Sequence, residues 1–215
     1  MNLAEHPILV LITCGALGFA AWRKINAPHV SRTTTLEPNT AGIPVQREIK
    51  AIPPITLDHS PEFIIEPVAE YTISGKVLSS ELYSYDRVAQ ISPVDIALVW
   101  GPPSLHPLLK KLDISQWGRF YTYYFPFPDG FPFDVNAFAV NSANSHIIPA
   151  NDNVKKAAAQ TSKGDIIKVD GYLVNVTTQS RDFIWKTSLT RDDRNGGACE
   201  IIYAKSIQIG KKIYN

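Results

Sequence analysis

An uncharged apolar run near the N-terminus is the feature that most constrains what this chain of 215 residues can fold into. The run covers residues 8–22, and residues 3–22 together approach the length of about 20 residues that an α-helix needs to cross a bilayer. Glu5 is the one charged side chain in that longer stretch. The sequence therefore predicts an anchor of residues 1–24 with one transmembrane helix, in contact with membrane lipid through residues 3–22.

The same segment also has the size of the apolar core of a secretory signal peptide, which would be cleaved rather than retained. A signal peptide normally begins with positive charge, and no Lys or Arg precedes Ile8. An uncleaved anchor is therefore the prediction. Arg23 and Lys24 follow the run, and by the positive-inside rule these two charges favour a domain in the cytoplasm.

Prolines recur throughout residues 25–70, and little sustained hydrophobic periodicity accompanies them. Proline fixes φ and has no N–H to donate, so this stretch is not expected to form a regular helix or a central strand. The composition predicts a proline-rich, semi-extended linker between the anchor and the domain. The short apolar group from Phe63 to Ile65 is the part expected to dock on the domain as an edge strand.

Short runs rich in strand-forming residues follow one another through residues 71–215, separated by Gly and Pro turns. Two brief helices are expected between them, one near residues 105–112 and one from Asn151 or Asp152 to about residue 161. The predicted fold class is α+β and mostly β. A compact barrel or a strongly bent antiparallel sheet with two short helices accounts for this pattern.

The overall charge gives no support to a nucleic-acid partner. The formal net charge is +1, whereas a phosphate-binding groove should be visibly basic. Tyr121, Tyr123 and Tyr124 would be available as a stacking platform on an OB-like barrel, but aromatic strands more often pack into a core. The five histidines are scattered, so spacing predicts no metal site, and no cofactor is expected.

A cysteine-dependent reaction is one chemistry that the polar residues of the domain suggest. Cys199 would be the nucleophile, His146 the base, and Arg191 or Arg194 the group that stabilises substrate or oxyanion. The structural alternative is that Cys199 is a small buried hydrophobe, that His146 belongs to a turn, and that the arginines lie in a solvated loop.

Ligand binding without covalent chemistry is a further alternative. Asn144, His146, Arg191 and Asp192 are the candidates to line one pocket, because they lie in the two densest polar clusters of the domain. Clustering of these four side chains in space would support that hypothesis, and their dispersal would remove it.

Three blocks of the domain stand out: Val94 to Pro102, Ser142 to Asn151, and Ser188 to Asp193 together with Gly197 to Glu200. These blocks resemble a family of proteobacterial membrane-anchored proteins. The likeness covers most of the domain and not the linker. It implies a bacterial source, an export-type N-terminus and hence a periplasmic domain anchored in the inner membrane, and it implies no particular reaction.

The function predicted from the sequence is a membrane-anchored, non-catalytic binding or assembly module of the bacterial envelope. Its expected partner is another protein or an envelope component. The alternative is a cysteine-dependent envelope enzyme of transpeptidase or hydrolase type that uses Cys199 and His146.

Overall fold

The computed structural model describes residues 27–124, 126, 134–190 and 199–215. The predicted anchor of residues 1–24 lies outside this part of the chain. None of the helices within it has the length and apolar character needed to cross a bilayer.

Strands dominate the described residues, as the sequence predicts. The strands are β1 (Arg32–Thr33), β2 (Val45–Arg47), β3 (Ile55–Leu57), β4 (Ser60–Leu82), β5 (Val94–Val99), β6 (Asp113–Trp117), β7 (Phe120–Tyr124), β8 (Ser142–Pro149), β9 (Ile166–Thr178), β10 (Ile184–Trp185), β11 (Glu200–Ile209) and β12 (Lys212–Tyr214). The helices are α1 (Gly101–Ser104), α2 (Val135–Ala139) and α3 (Asp152–Ala158), with one 3₁₀-helix at Pro107–Lys111.

The predicted helix at residue 151 is confirmed with its cap. The side chain of Asn151 accepts a hydrogen bond from the N–H of Val154 at 2.9 Å, which satisfies one of the free donors of the first turn of α3. The segment near residues 105–112 is shorter than predicted and forms the 3₁₀-helix instead. The helices α1 and α2 were not predicted, and Asp134 caps α2 by accepting from the N–H of Asn136.

The larger sheet has ten strands, in the order β1-β12-β11-β8-β5-β4-β9-β10, with β2 and β3 paired to β4. An additional pairing joins β11 to β9, so the pairings β4–β5–β8–β11–β9–β4 form a closed circuit. The path remains open at β1 and β10, and the sheet as a whole is not a clear barrel. The sheet is antiparallel, as predicted, at every described pairing except that of β8 with β11, which are parallel.

The predicted linker of residues 25–70 contributes to this sheet, which differs from the sequence prediction. β1, β2 and β3 all pair with it, and β4 begins at Ser60 and runs through the expected boundary at residue 70. Phe63 and Ile65 are fully buried in β4 rather than docked at an edge. The strand tolerates Pro67 because its pairing with β9 shifts register directly after that residue, at a bulge.

Two faces of the sheet are apolar, and each positions part of the candidate site. The main core is formed by side chains of β4, β5, β8, β9 and β11 that point to one face. On the opposite face, Leu78, Ala97, Val99 and Phe138 pack with two leucines around the 3₁₀-helix. The hairpin of β6 and β7 rests on this second cluster through Ile114, Tyr121 and Tyr123.

Candidate functional site

A buried carboxylate on the central strand β5 is the starting point of the site. Asp95 has no solvent exposure, although it lies in an otherwise apolar strand. Its register partner on β8 is His146, and Nδ1 of His146 lies 2.9 Å from Oδ2 of Asp95. A buried charge of this kind requires partners, because an unpaired carboxylate is strongly disfavoured away from water.

Arg119 supplies the opposite charge from the turn of the β6–β7 hairpin. Its Nη1 donates to Oδ1 of Asp95 at 2.8 Å and to the carbonyl oxygen of Ser92 at 2.8 Å. Its Nε and Nη2 donate to the two carboxylate oxygens of Asp86 at 2.7 and 2.8 Å. One guanidinium thus bridges two carboxylates, and the pair with Asp86 has the bidentate geometry that makes such contacts strong.

An aromatic ring covers the guanidinium. The central carbon of Arg119 lies 3.9 Å from the centroid of the Tyr83 ring, which is cation–π geometry. The Tyr83 hydroxyl also accepts a hydrogen bond from the backbone N–H of Arg119 at 3.2 Å. Arg119 adopts a left-handed φ of 71°, and these contacts hold it there.

Asn144 connects the hairpin to the sheet. Its Nδ2 donates to the carbonyl oxygen of Arg119 at 2.9 Å and to Oδ2 of Asp95 at 3.3 Å. Its Oδ1 accepts from Nε2 of Gln116 at 2.9 Å. We refer to Asp86, Asp95, Arg119, Asn144 and His146 as the Asp95 cluster.

The charges of the Asp95 cluster stabilise one another. Partial burial alone would raise the pKa of Asp86, but the hydrogen bonds and positive charge of Arg119 bring that pKa below its ordinary value. Burial alone would lower the pKa of Arg119, and the two carboxylates raise it instead. The carboxylate of Asp86 and the guanidinium of Arg119 therefore stay ionised through the physiological range.

Two of the sequence-predicted site residues come together in this cluster. Asn144 and His146 lie two positions apart on β8, and both contact Asp95. The ring of His146 packs at a tilt against Trp185, with 4.7 Å between the ring centroids. Asn144 and His146 are both almost completely buried.

The other predicted site residues are placed differently. Cys199 is half-buried and directly precedes β11, where its carbonyl oxygen accepts a hydrogen bond from the N–H of Ser188 at 3.0 Å. The next residue, Glu200, pairs with Ser145 of β8, so Cys199 lies immediately before the strand that is next to the one that carries His146. Arg191 and Asp192, and with them Arg194, lie outside the described residues.

Sequence reasoning missed the charged centre of the cluster. Asp95 could have been recognised from the sequence as a site residue, because a carboxylate inside an apolar strand needs a partner once the strand is buried. Asp86 and Arg119 gave no comparable signal, since each lies in a turn where charged residues are common. Their contacts arise only when the hairpin folds back over β5.

The outer face of the same hairpin is aromatic. Trp117, Phe120 and Tyr124 are 82%, 55% and 67% exposed, and Trp117 is the register partner of Phe120. Side chains alternate across a strand, so the exposed face also carries Asp113, which pairs with Tyr124. We refer to the surface of Trp117, Phe120 and Tyr124 as the aromatic face.

The tyrosines considered as a stacking platform divide between the two sides of the hairpin. Tyr121 and Tyr123 point inward, and the Tyr121 hydroxyl is 2.7 Å from Oγ of Ser142. Burial raises the pKa of Tyr121. Tyr123 packs edge-on against Phe138 at 4.9 Å between centroids, and Tyr124 alone of the three is exposed.

The described residues thus define a mostly-β protein with a buried ion-pair cluster beneath an aromatic hairpin. No protein-family model, no curated protein sequence and no solved structure matches this chain. Within the residues that the structure describes, no group of three or more His, Cys, Asp or Glu side chains is placed to hold a metal ion.

Proposed function

We propose that this protein is a membrane-anchored, non-catalytic binding module of the bacterial envelope, and that it contacts a partner protein through the aromatic face. The observation that carries the proposal is the exposure of Trp117, Phe120 and Tyr124 on one side of a single hairpin. Large aromatic side chains are enriched at the centres of protein interfaces, where they supply most of the binding energy.

The underside of the hairpin supports this assignment. Arg119 and Asn144 fix its turn and its backbone to the sheet, and Tyr121 fixes its second strand to Ser142. A surface held in its binding conformation loses less entropy on association than a mobile one. The Asp95 cluster is therefore assigned the role of a clamp that holds the aromatic face in place.

The circuit of strand pairings also supports a binding role. We infer that β4, β5, β8, β9 and β11 form a small five-stranded barrel of OB type, with α3 between its third and fourth strands. Barrels of this type bind ligands on the face of their second and third strands. In this protein the second and third strands of the barrel are β5 and β8, and the hairpin covers their outer side. The aromatic face on the hairpin would therefore be the contact surface instead of the sheet. This step rests on fold analogy.

A photo-crosslinking experiment tests the proposal. The full chain is produced in bacterial membranes with a photoreactive phenylalanine analogue at position 117, and separately at position 43. Ile43 is 76% exposed and lies far from the hairpin in sequence, so it is a matched control. The proposal predicts one discrete protein adduct from position 117 and none from position 43.

The same experiment can contradict the proposal. Identical adduct patterns from positions 117 and 43 would show that the aromatic face has no preferred partner. Adducts to lipid alone from position 117 would replace the protein partner with the bilayer.

The contact between Asp95 and His146 favours a second candidate function, the cysteine-dependent enzyme. A carboxylate beside Nδ1 orients a catalytic imidazole in nucleophile–base–acid arrangements. Cys199 directly precedes β11, the strand next to the one that carries His146, and it would be the nucleophile. We expect this enzyme to show fast alkylation of Cys199 with an apparent pKa well below about 8.5, lost in His146→Asn. Slow alkylation, unchanged by that substitution, would exclude it.

A further inference from the structure

The edge strand β3 lies beside an open cleft. The cleft has a volume of about 550 Å³, and ligand sites commonly occupy about 300–1,000 Å³. Thr56 and Leu57 of β3 line it, followed by the two residues of the β3–β4 turn, Asp58 and His59. The end of β8 and the start of α3 contribute further lining residues, namely Pro149, Ala150, Asn151, Asp152 and Lys155. No described residue of β4 lines the cleft, so it lies on the side of β3 away from β4.

The backbone of β3 is available on that side. Among the described strands, β3 pairs with β4 alone. Leu57 and Ser60 are partners across a two-residue turn, so the N–H and C=O of Leu57 point toward β4. Successive backbone groups of a strand point to opposite sides, and those of Thr56 therefore point to the outer edge. In the part of the chain that the structure describes, no hydrogen bond outside the strand ladders involves the backbone of Thr56.

Apolar side chains form a large part of the cleft lining. Leu57 is buried in an apolar cluster of the sheet, and Tyr203 of β11 packs against the same cluster. Pro93, Pro149 and Ala150 add further apolar surface to the cleft. Side chains alternate between the two faces of a strand, so an extended peptide beside β3 would direct every second side chain toward this lining.

Hydrogen bonds fix the segments that line the cleft. Nε2 of His59 lies 3.2 Å from the carbonyl oxygen of Gln90, and Oγ of Ser60 donates to Oε1 of Gln90 at 3.2 Å. The N–H of Ala150 donates to the carbonyl oxygen of Ala204 at 3.0 Å, which joins the end of β8 to β11. A strand edge that is already fixed loses less conformational entropy on binding than a mobile segment does.

Two carboxylates of the lining have no ion-pair partner among the described residues. They belong to Asp58 in the β3–β4 turn and Asp152 at the start of α3. Lys155 is the only lysine or arginine among the described lining residues. Negative charge therefore exceeds positive charge in the cleft, and basic side chains on a bound peptide would complement it.

We infer that the outer edge of β3 is a docking site for an extended segment of another polypeptide, which adds to the sheet as a strand. Its backbone would bond to the N–H and C=O of Thr56, and its apolar and basic side chains would alternate. Strand addition takes its affinity from backbone hydrogen bonds and its specificity from sites for alternate side chains. No described residue of the aromatic hairpin lines the cleft, so the inference does not depend on the proposed function.

A peptide titration followed by nuclear magnetic resonance tests the inference. The isotope-labelled full chain in detergent is titrated with the peptide acetyl-Val-Lys-Val-Lys-Val-amide. The control is the same peptide with every amide nitrogen methylated, which cannot donate backbone hydrogen bonds. We expect the first peptide to give saturable shifts of the Thr56 and Asp58 amide signals and to slow hydrogen exchange at Thr56 by about tenfold or more. The methylated peptide should change neither, and the Trp117 amide should stay constant with both.

Variants of the edge identify the groups responsible. Thr56→Pro removes the outward N–H, and an edge strand tolerates proline on its solvent side. It should abolish the peptide-induced shift at Asp58, whereas Thr56→Val keeps the N–H and should bind as the wild type does. D58N/D152N leaves the backbone edge intact and should weaken binding of the lysine peptide by about three- to tenfold. The melting temperature of each variant verifies that the fold is retained.

Three results would overturn the inference. The first is the absence of any saturable shift at Thr56 and Asp58 with millimolar peptide. The second is equal binding of the methylated and unmethylated peptides, or binding to a folded Thr56→Pro variant, since either would show that no strand is added at this edge. The third is a shift confined to Trp117, which would place the peptide on the aromatic face instead.

Discussion

Arg119 is the residue on which the site depends, because its guanidinium forms ion pairs with both Asp95 and Asp86. It belongs to the β6–β7 hairpin, which is separate in sequence from the two aspartates. Its side chain is only 14% exposed, and Asp95 is fully buried. Removing Arg119 leaves the carboxylate of Asp95 buried without its strongest partner. Breaking such a buried pair typically costs about 3–5 kcal/mol.

We therefore expect Arg119→Met to lower the free energy of unfolding by about 3 kcal/mol or more, measured by urea unfolding of the full chain in detergent. Arg119→Lys keeps the charge but not the planar fork that reaches two carboxylates, so it should recover only part of the loss. Equal stability of Arg119→Met and the wild type would contradict the clamp role assigned to this residue.

The pKa of Asp86 predicts a dependence of stability on acid. Its folded-state pKa lies below the ordinary value of 3.8, so its ionised form stabilises the fold above that pH. This contribution should be lost as the pH falls through the folded pKa. We expect Asp86→Asn to cost about 1.5–3 kcal/mol near neutral pH, and the difference from wild type to shrink below pH 3.8.

A control on the exposed side of the hairpin isolates this effect. Asp113→Asn, next to the aromatic face, should change the free energy of unfolding by less than about 0.5 kcal/mol at any pH in the same titration. A difference between wild type and Asp86→Asn that stays constant into acid would show that the ion pair with Arg119 is not its source.

At the level of single residues, the sequence predicted the polar side of the site but not its charge balance. Asn144 and His146 could be predicted as site residues because they stand in a dense polar run of the sequence. The role of Arg119 could not be predicted, because only the folded hairpin brings its side chain within reach of β5. Local patterns report which residues are unusual for their segment, whereas ion pairs between distant segments depend on the complete fold.

Among the secondary-structure elements, β9 and β11 lie close together at Gly171. A Cβ built at that position would overlap the carbonyl oxygen of Tyr203, next to the bulge between Ala204 and Ser206. Gly171→Ala must therefore separate the two strands. We expect it to lower the free energy of unfolding by about 1–3 kcal/mol in the same urea assay.

Gly42 is the matched control for that substitution. No atom lies within 4 Å of a Cβ at Gly42, and its φ is not in the left-handed region. Gly42→Ala should be neutral or stabilise the protein by up to about 1 kcal/mol, because alanine restricts the unfolded chain. If both alanines had the same effect, close packing at Gly171 would not be the cause.

The prediction of elements succeeded where one physical signal dominated. The capped helix at Asn151 was found because its cap is a local signal that a few consecutive residues provide. The prolines of residues 25–70 were expected to prevent regular strands. Register shifts and short pairings nevertheless let β4 include Pro61 and Pro67. The residues of α2 are mostly apolar, and only its Asp134 cap distinguishes it from a strand.

For the whole molecule, we propose different roles for the sheet and for the hairpin. The strand circuit supplies a rigid base, and the Asp95 cluster holds the aromatic face above it.

We propose that the aromatic face binds a partner protein. The native electrophoretic mobility of the full chain extracted from membranes tests this role, for wild type, W117S/F120S and L36S/I43S. Leu36 and Ile43 are 74% and 76% exposed and do not belong to the hairpin, so that control removes exposed apolar side chains elsewhere. We expect wild type and L36S/I43S to migrate in a larger complex and W117S/F120S to migrate without it. Identical migration of all three would contradict binding through the aromatic face.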